Sequence, residues 1–440
     1  MTGDWRSGPV AGGWRTGPLA VRSFRRLAGG QFASTIGDYC YAVALPWLVL
    51  SAHGGAIMLG TVLACYGVPR TVLIPVGGVL ADKAGPRTVM LAADAARCVL
   101  VAGLAVLAAR QVVSLAALGP IAALTGAGEG LFIPASFAIM PSLLNEDRLA
   151  AGNALSTAAV QAGSLLGPAL GGALVAATSS STAAFAVDAA SFGLSALTLL
   201  LIPRRPADGS VAAEAATEAE PGGAGGGVLA LLRRSRELQV ILVVVIAANL
   251  ASGGMGDVAL PALAHASYGA AGYGALLACF AVGGIAGTLG AARTGNLRAP
   301  ARFASAVFLV EAAAIALVPF TGREAGAAAL LGVVGACNGL GNVTMLTVLH
   351  KRVSPGLLGR VMGVLMLCSF GTFPLSVAVS GVLVGHLGPA PFFPVAGALL
   401  GVAILGGLTQ RDFRAFGARD GVTPPPRAAS AVKAAEGSRK

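Results

Sequence analysis

Residues 78–87 read GVLADKAGPR and separate two long apolar stretches. Gly78 permits another helix to approach closely, Asp82 is expected to end the helix at a polar surface, and Gly85 supplies a tight turn. Apolar runs of about 20 residues joined by a short polar turn are typical of neighbouring membrane-spanning helices. The sequence on both sides of this turn repeats the same alternation.

The composition agrees with a protein that crosses a bilayer many times. Of the 440 residues, 55% are hydrophobic and 11% are charged, and the mean hydropathy is +0.79. A soluble domain has about 25% charged residues, so a soluble globular protein, a disordered chain and a coiled coil are excluded. We predict an all-α membrane protein with twelve transmembrane helices, near residues 28–51, 57–81, 88–109, 112–140, 150–176, 183–203, 238–263, 271–292, 303–321, 325–349, 357–385 and 391–410.

The basic residues predict the orientation of these helices. The net charge is +11, but Lys and Arg lie between apolar runs, which favours a lipid bilayer and not nucleic acid as the partner. With the N-terminus in the cytoplasm, the outer loops receive only Arg110 and Arg323. The cytoplasmic side receives the C-terminal tail and Arg22, Arg25, Arg26, Lys83, Arg87, Arg148, Arg204, Arg205, Arg233, Arg234, Arg236, Arg293, Arg298, Arg302, Lys351, Arg352 and Arg360. We predict a multi-pass protein of the bacterial cytoplasmic membrane with both termini cytoplasmic.

The chain divides into two parts of six helices each. Between them, Ala, Glu and a run of glycines are typical of a flexible linker, and residues 228–239 read as a short basic amphipathic helix. The predicted order is a disordered basic tail at 1–27, a six-helix bundle at 28–203, a cytoplasmic linker at 204–237, a second bundle at 238–410 and a disordered tail at 411–440.

Short matches relate the two parts. Residues 44–46 (ALP) recur at 259–261, and residues 63–66 (LACY) recur as LACF at 277–280, at almost the same separation along the chain. Two parallel six-helix repeats are the plan of a secondary transporter with a site near the bilayer midplane. We therefore expect two pseudo-symmetric bundles.

The turn at 78–87 resembles the signature loop between the second and third helices of the major facilitator superfamily. The resemblance implies that Asp82, Lys83 and Arg87 form a gating latch against the other half. The alternative is a turn whose charges only set the topology. The second half carries a decayed copy of this loop, with Ala291 where the loop has Asp.

The fifth apolar run contains Gly163, Gly167, Pro168, Gly171 and Gly172. Three of these glycines are spaced four apart, so they form one smooth helix face that lets a neighbour approach, and the proline adds a bend. The run is similar to the glycine–proline signature of antiporters in the same superfamily, which implies export. The alternative is a packing face with no bearing on the direction of transport.

Further stretches narrow the resemblance to one branch. Residues 68–70 (VPR), 130–135 (GLFIPA), 153–155 (NAL) and 359–363 (GRVMG) resemble macrolide-efflux and enterobactin-exporter-type proteins. Many proton-coupled exporters of the superfamily carry an arginine in the fourth helix. Residues 112–140 contain none, so proton coupling does not follow from the resemblance alone.

Charged residues inside apolar runs are candidate functional groups, because each costs about 2.5–3.5 kcal/mol to insert. Asp38 lies near the middle of the first run and is the first candidate proton carrier. The alternative is a static ion pair with Arg70, which lies at a similar depth. Glu129, among glycines of the fourth run, is the second candidate for binding a proton or a cation.

Other polar residues predict contacts between or along helices. Asp94 and Arg97 are three apart, so they can pair on one helix face, as a structural or gating pair toward the cytoplasmic end. Asn338 and Asn342 are four apart and share a face, where they line a cavity or form a hydrogen bond between helices.

No role follows from the sequence for three further carboxylates. Glu311 lies near the middle of the ninth run, which is usually peripheral in the superfamily. Asp188 and Asp257 lie nearer the outer ends of their helices, where we expect them to be hydrated.

Motifs for other chemistries are absent from the sequence. There is no phosphate-binding loop, dinucleotide fingerprint, nucleophile elbow or zinc motif, and the six cysteines lie in apolar runs without metal-ligand spacing. We therefore expect no catalytic residues, no metal and no cofactor.

The sequence as a whole favours a monomeric secondary transporter. It is expected to export a small amphiphilic compound, such as an antibiotic or a secondary metabolite, by alternating access and proton antiport. The alternatives are the membrane subunit of an ATP-driven transporter with a separate ATPase, a transporter of narrow specificity for a siderophore or metabolite, and uptake instead of export. A membrane enzyme or sensor would need a catalytic constellation that the sequence lacks.

Overall fold

The structure, a computed structural model, describes residues 17–203, 236–297, 299–352, 355–410 and 414. In this part of the chain the regular structure is helical, and twelve helices are long and apolar enough to cross a membrane. The predicted fold class is therefore confirmed. Residues 1–16 of the predicted N-terminal tail, most of the linker and of the amphipathic segment, and almost all of the C-terminal tail lie outside the described residues.

The first half contains six spanning helices and two short ones. A 3-10 turn, Pro18–Ala20, precedes the first span, and the short helix Met140–Leu143 follows the fourth. The spans are α1 (Arg22–Ser51), α2 (Gly55–Ala84), α3 (Pro86–Ala109), α4 (Leu115–Ala138), α5 (Glu146–Thr178) and α6 (Thr182–Leu200).

The second half also contains six spans. We call α7 the continuous span formed by Arg236–Gly254, a π-helical turn at Met255–Ala259 and Leu260–Ser267. The others are α8 (Gly269–Ala291), α9 (Pro300–Leu317), α10 (Glu324–Arg352), α11 (Pro355–Leu387) and α12 (Pro389–Thr409). The 3-10 turns Ala292–Asn296 and Val318–Thr321 extend α8 and α9.

Polar residues extend several helices beyond their apolar runs. The predicted tail at 1–27 is wrong at its end, because α1 begins at Arg22 and includes Arg25 and Arg26 in its first turns. Likewise α7 begins at Arg236, within the segment predicted as linker. Helical hydrogen bonds do not require apolar side chains, so hydropathy alone locates the membrane-embedded part of a helix and not its ends.

Within each half, a short connection joins each span to the next, so successive helices run in opposite directions. We call the face with the start of α1 and the end of α12 the terminal face. The other face, called the opposite face, carries the turns after α1, α3, α5, α7, α9 and α11. Large apolar side chains, among them Val99, Phe137 and Val402, are exposed on the outside of the bundle, where lipid would cover them.

The two halves pack in the same way. In the first half α1 packs on α5 and α6, α2 packs on α4, and α3 packs on α4 and α6. In the second half α7 packs on α11 and α12, α8 packs on α10, and α9 packs on α10 and α12. Each of these pairs in one half has its counterpart in the other, which is the pseudo-symmetry that the short sequence repeats predicted.

Two symmetry-related helix pairs, α2 with α11 and α5 with α8, join the halves. At each crossing two glycines meet. A Cβ on Gly172 would lie 2.8 Å from the Ala270 carbonyl oxygen and 3.0 Å from the Gly274 Cα. A Cβ on Gly381 would lie 2.8 Å from the Ala56 carbonyl oxygen and 3.0 Å from the Gly60 Cα. Because these residues lie near the turns of the opposite face, the contacts hold the halves together on that side.

Candidate functional site

A cavity of about 410 Å³ lies between the two halves. Both halves contribute to it, with α1 and α5 from the first and α7, α8 and α10 from the second. Its polar lining comes from Tyr39, Gln161, Ser164, Asp257, Tyr273, Thr288, Asn338 and Asn342. A mostly apolar cavity with a few polar groups is the usual form of a small-molecule site.

The π-helical turn of α7 brings Asp257 to the wall of this cavity. The Tyr273 hydroxyl donates a hydrogen bond to the Gly256 carbonyl oxygen at 3.2 Å, which satisfies a backbone group beside the irregular turn. π-helical turns occur frequently at functional sites. Asp257 is therefore a cavity residue, whereas the sequence placed it only near the outer end of its helix.

Arg97 is the centre of a buried ionic cluster in the first half. Its guanidinium contacts the Asp94 carboxylate at 2.6 Å and the Asp38 carboxylate at 3.9 Å. Asp94 is fully buried and also accepts a hydrogen bond from Ser195 at 2.6 Å. The Asp38 side chain is 50% exposed, so Arg97 holds one carboxylate tightly and the other loosely. The sequence predicted that Asp94 and Arg97 lie toward the cytoplasmic end of their helix. In the structure the cluster lies near the middle of α3.

Aromatic rings complete the surroundings of Arg97. The guanidinium carbon lies 4.2 Å from the centre of the Phe192 ring and 4.7 Å from that of Phe132. These cation–π contacts favour the charged form of the arginine in an apolar setting. The Nε atom of Arg97 is buried and has no hydrogen-bond partner among the described residues.

Arg70 pairs with Glu129 and not with Asp38. The distance between the guanidinium and the Glu129 carboxylate is 3.0 Å, so the sequence-based pairing of Arg70 with Asp38 is wrong. The guanidinium carbon also lies 5.0 Å from the Phe370 ring centre and 6.0 Å from that of Phe373. Both phenylalanines belong to α11, so Arg70 links its own half to the other.

Glu311 is buried in the second half, and two asparagines connect it to the cavity. Only 2% of Glu311 is exposed. The Asn338 amide donates to the Glu311 Oε1 at 3.2 Å, and the Asn342 amide donates to the Asn338 Oδ1 at 3.0 Å. Both asparagines line the cavity, and Asn338 also bonds to Glu311 of α9, which joins the two uses that the sequence left open.

Asp188 is buried instead of hydrated. It is 1% exposed, lies beside Gly37 of α1, and its Oδ1 lies 3.5 Å from the Ser191 hydroxyl. The expectation of a hydrated residue near an outer end is wrong, because α6 turns this side chain toward α1 and not toward the surface.

The turn at 78–87 differs in two respects from its sequence interpretation. The helix α2 does not end at Asp82 but continues to Ala84. Gly77 and not Gly78 makes the close helix contact, since a Cβ on Gly77 would lie 2.8 Å from the Leu131 Cα, whereas one on Gly78 has no neighbour nearer than 4.0 Å. Gly85 adopts φ +82°, a conformation that favours glycine. Asp82 and Lys83 are exposed.

Arg87 contacts its own half. Its guanidinium donates to the Leu199 carbonyl oxygen at 2.9 Å and to the Leu200 carbonyl oxygen at 3.0 Å. A cation at the carboxyl end of a helix satisfies free carbonyl groups and complements the helix dipole. In this conformation the described bonds of Arg87 hold α3 to α6, and the latch against the other half stays a prediction.

The glycine face of α5 packs on α1. A Cβ on Gly167 would lie 2.8 Å from the Ile36 carbonyl oxygen, and one on Gly171 would lie 2.9 Å from the Cys40 Cα. Gly163 lies against Thr35, and Gly172 faces α8 of the other half. The helix that the sequence expected to approach this face is therefore α1, the helix that carries Asp38.

Acidic groups outnumber basic groups inside the spans. Among the described residues, eight charged side chains lie more than five positions from the ends of a span, and six of them are carboxyl groups. The two arginines are paired as described above. Of the predicted proton carriers, neither Asp38 nor Glu129 is among the described cavity-lining residues. Asp257 lines the cavity, and Glu311 bonds to the lining residue Asn338. The sequence assigned no role to either carboxyl group.

Comparisons with known proteins agree with this architecture. The family model of the Major Facilitator Superfamily matches residues 27–376. The uncharacterized MFS-type transporter y4rN of Sinorhizobium fredii is 27% identical over 83% of this chain and 87% of its own length. YfiS of Bacillus subtilis, also an uncharacterized MFS-type transporter, is 29% identical over 40% of this chain and 42% of its own length. The "Putative multidrug resistance protein MdtD" of Pectobacterium carotovorum is 28% identical over 34% of this chain and 31% of its own length.

Solved transporter structures share the fold. A mutant form of the nucleoside transporter NupG superposes with a TM-score of 0.65 over 88% of this chain and 99% of its own, at 13% identity. A POT family transporter superposes with a TM-score of 0.65 over 88% of this chain and 96% of its own, at 14% identity. The family match over most of the chain, the twelve spans and the cavity between two related halves lead to one conclusion: this protein belongs to the Major Facilitator Superfamily and is a multi-pass membrane transporter, not an enzyme.

Proposed function

We propose that the protein exports a small amphiphilic compound across the cytoplasmic membrane by proton antiport. The observation that carries the proposal is the excess of carboxyl groups over arginines inside the spans, next to a cavity shared by both halves. A carboxylate without a counter-charge in a bilayer is costly, so either a proton or a cationic cargo neutralises it. Two occupants that compete for the same charge give antiport.

Asp38 is the proposed principal proton carrier, with Glu129 as the second. The Asp38 side chain is half exposed and lies 3.9 Å from Arg97, so its protonation leaves the buried pair of Arg97 and Asp94 intact. Glu129 is bound more closely, at 3.0 Å from Arg70. Because Arg70 also contacts α11 through Phe370, protonation of Glu129 would change a contact between the halves.

Alternating access is the proposed transport cycle. The glycine contacts at Gly172 and Gly381 close the halves together near the opposite face. We propose that the bundles at 28–203 and 238–410 rock about the cavity as units, and that the linker at 204–237 joins them. With both termini in the cytoplasm, this structure is the state closed to the outside.

Two features support the proposed direction of transport and the proposed kind of cargo. The glycine–proline run of α5 resembles that of antiporters, and it packs directly on α1, the helix of Asp38. The partial match with the MdtD proteins, which carry multidrug resistance in their name, agrees with an amphiphilic cargo. We further propose that the monomer is the transporting unit, since a cavity lined by both halves is complete within one chain.

The test is dye transport by purified protein in proteoliposomes with an imposed pH gradient. We expect ethidium to move against its gradient in exchange for protons, and a protonophore to abolish this movement. Asp38→Asn should lower gradient-driven transport at least tenfold and keep downhill exchange of the dye. Asp147→Asn, at an exposed position of the first turn of α5, is the matched control and should transport normally.

Two outcomes would contradict the proposal. In the first, transport in membranes requires ATP and a second protein and is not inhibited by the protonophore. This result would identify the protein as the membrane subunit of an ATP-driven transporter. Unchanged gradient-driven transport by Asp38→Asn would remove Asp38 from the role of proton carrier, and Glu129→Gln would then be measured in the same way.

A further inference from the structure

We propose that Glu311, Asn338 and Asn342 form a relay through which the protonation of Glu311 sets the hydrogen-bonding character of a cargo subsite in the second half. The subsite would bind a cargo group that donates hydrogen bonds, such as an amine. The inference rests on the proposed function, because it assumes that cargo enters the cavity between the halves.

Glu311 lies inside the second half, away from solvent. The residue is only 2% exposed, and its Oε2 atom has no hydrogen-bond partner among the described residues. The only described hydrogen bond to the carboxyl group comes from Asn338. A carboxyl group of this kind is costly to keep in a membrane helix, which points to a functional reason for it.

The described residues that face Glu311 from the neighbouring helices carry no positive charge. From α10, Asn338 and the Cys337 thiol face Glu311. From α12, Gly397 packs against Ala312 beside it, and the sequence of α12 contains no titratable residue. In the described part of the chain Glu311 has no ion pair, so a proton is the simplest means of neutralising it.

The hydrogen-bonding chemistry of their side chains couples Glu311, Asn338 and Asn342. An ionised carboxylate only accepts hydrogen bonds, whereas an amide donates at one end and accepts at the other. With Glu311 ionised, Asn338 must turn its NH₂ group to the carboxylate, and its oxygen then accepts from Asn342. This is the arrangement observed, at 3.2 Å and 3.0 Å. The Asn342 oxygen is then left for the cavity, where it can accept from a cargo N–H group.

Uptake of a proton on the Glu311 Oε1 reverses the relay. A proton on Oε2 would find no described acceptor, whereas an O–H at Oε1 donates to the Asn338 oxygen once the Asn338 amide turns over and donates to the Asn342 oxygen. Asn342 in turn presents its NH₂ group to the cavity, which no longer suits a donor group. Proton uptake by Glu311 therefore weakens the binding of an amine-bearing cargo without any contact between the cargo and the carboxyl group.

The relation between the two halves supports a functional role for Glu311 and Asn338. Counted from the start of each helix, Glu311 is the twelfth residue of α9 and Arg97 is the twelfth residue of α3. Asn338 and Glu129 are both the fifteenth residues of α10 and α4. Equivalent positions are thus polar in both halves, but the charge at the first of them is reversed.

The relay is tested by infrared difference spectroscopy of the purified protein in lipid nanodiscs as the pH is changed. We expect a carbonyl-stretch band of a protonated carboxyl group that is missing from the difference spectrum of Glu311→Gln. The band should shift in Asn338→Leu, which removes the hydrogen-bond partner, and stay in place in Thr288→Val, which removes a different polar group of the cavity lining. Identical spectra for the wild type and Glu311→Gln would overturn the relay.

The cargo class is tested with two lipophilic cations, ethidium, which carries N–H donors, and tetraphenylphosphonium, which carries none. Asn342→Leu should weaken ethidium binding about tenfold, as expected for one hydrogen bond to a charge-linked acceptor, and leave tetraphenylphosphonium binding unchanged. In the wild type the affinity for ethidium divided by the affinity for tetraphenylphosphonium should fall as the pH is lowered. In Glu311→Gln this ratio should stay constant. Other carboxyl groups that face the cavity change the affinity for both cations alike when they titrate, so their effect cancels in the ratio.

The outcomes separate this inference from the proposed function. Equal weakening of both cations by Asn342→Leu would mean that the residue only shapes the cavity, which overturns the subsite. If the wild-type protein binds neither cation, both the proposed amphiphilic cargo and the proposed hydrogen-bond-donating cargo group are refuted. The infrared experiment would still test whether Glu311 and Asn338 act as a relay.

Discussion

Arg97 is shared by two carboxylates that it holds with unequal strength. Asp94 lies at 2.6 Å, is fully buried and has a second bond from Ser195, whereas Asp38 lies at 3.9 Å and is half exposed. A buried pair fixes the position of the arginine, and a looser carboxylate beside it remains free to change its protonation. The geometry thus divides a structural role from a proposed transport role within a single cluster.

This division predicts different costs for two conservative substitutions. Asp94→Asn leaves the buried Arg97 charge without its close partner, and we expect it to lower the free energy of unfolding by about 3 kcal/mol. Asp38→Asn removes only a long, half-exposed contact and should cost less than about 1 kcal/mol. Equilibrium unfolding in mixed detergent micelles measures both. Equal losses in the two variants would show that the cluster acts as one unit.

At this scale the sequence predicted contacts within a helix better than contacts between helices. Asp94 and Arg97 are three residues apart, so helical geometry alone brings them together. Arg70 and Glu129 lie on different helices, and their pairing depends on how α2 packs on α4. The sequence provides the depth of a residue along its helix but not the direction in which its side chain points. For this reason the sequence paired Arg70 with Asp38 and not with Glu129.

The irregular turn in α7 is the element that hydropathy could not reveal. The apolar pattern predicted a continuous helix at 238–263, and the structure extends it from Arg236 to Ser267 with a π-helical turn at Met255–Ala259. Such a turn is stabilised by tertiary contacts, here the bond from Tyr273 to the Gly256 carbonyl group. Asp257 therefore reaches the cavity through a local geometry that has no signature in hydropathy.

Removing this bond tests whether the turn supports the cavity. Tyr273→Phe leaves the Gly256 carbonyl group without its partner, so we expect a loss of about 1 kcal/mol in stability and weaker ethidium binding. Tyr268→Phe, at the partly exposed end of α7, is the matched control and should change neither. The measurements are unfolding in mixed micelles and fluorescence titration. Unchanged ethidium affinity in Tyr273→Phe would separate the turn from the binding site.

For the whole molecule, the number of helices and the two related halves could be predicted, and the conformational state could not. Hydropathy counts spans, and short repeats such as residues 44–46 and 259–261 indicate two equivalent halves. Which face is closed depends on contacts between helices far apart in the chain. Those contacts use single glycines, such as Gly60 against Gly381, that resemble many others in a sequence with 63 glycines.

The two glycine crossings are symmetric, so they should contribute equally to the closure of the opposite face. Gly172 and Gly381 are each the twenty-seventh residue of their helices, and a Cβ on either would lie 2.8 Å from a backbone oxygen of the other half. Valine at either position should force the halves apart on that side and shift the population toward a state open there. The double variant should shift it further.

Spin labels measure this opening directly. On a background without the native cysteines, Gln111→Cys and Arg323→Cys place one label on each half, in exposed turns of the opposite face. We expect the distance between the labels to lengthen in Gly172→Val and in Gly381→Val. Gly126→Val, which meets the Tyr66 backbone within one half, should instead lower stability and leave the distance unchanged. If all three variants behave alike, the crossings serve the packing of the bundle and do not control its opening.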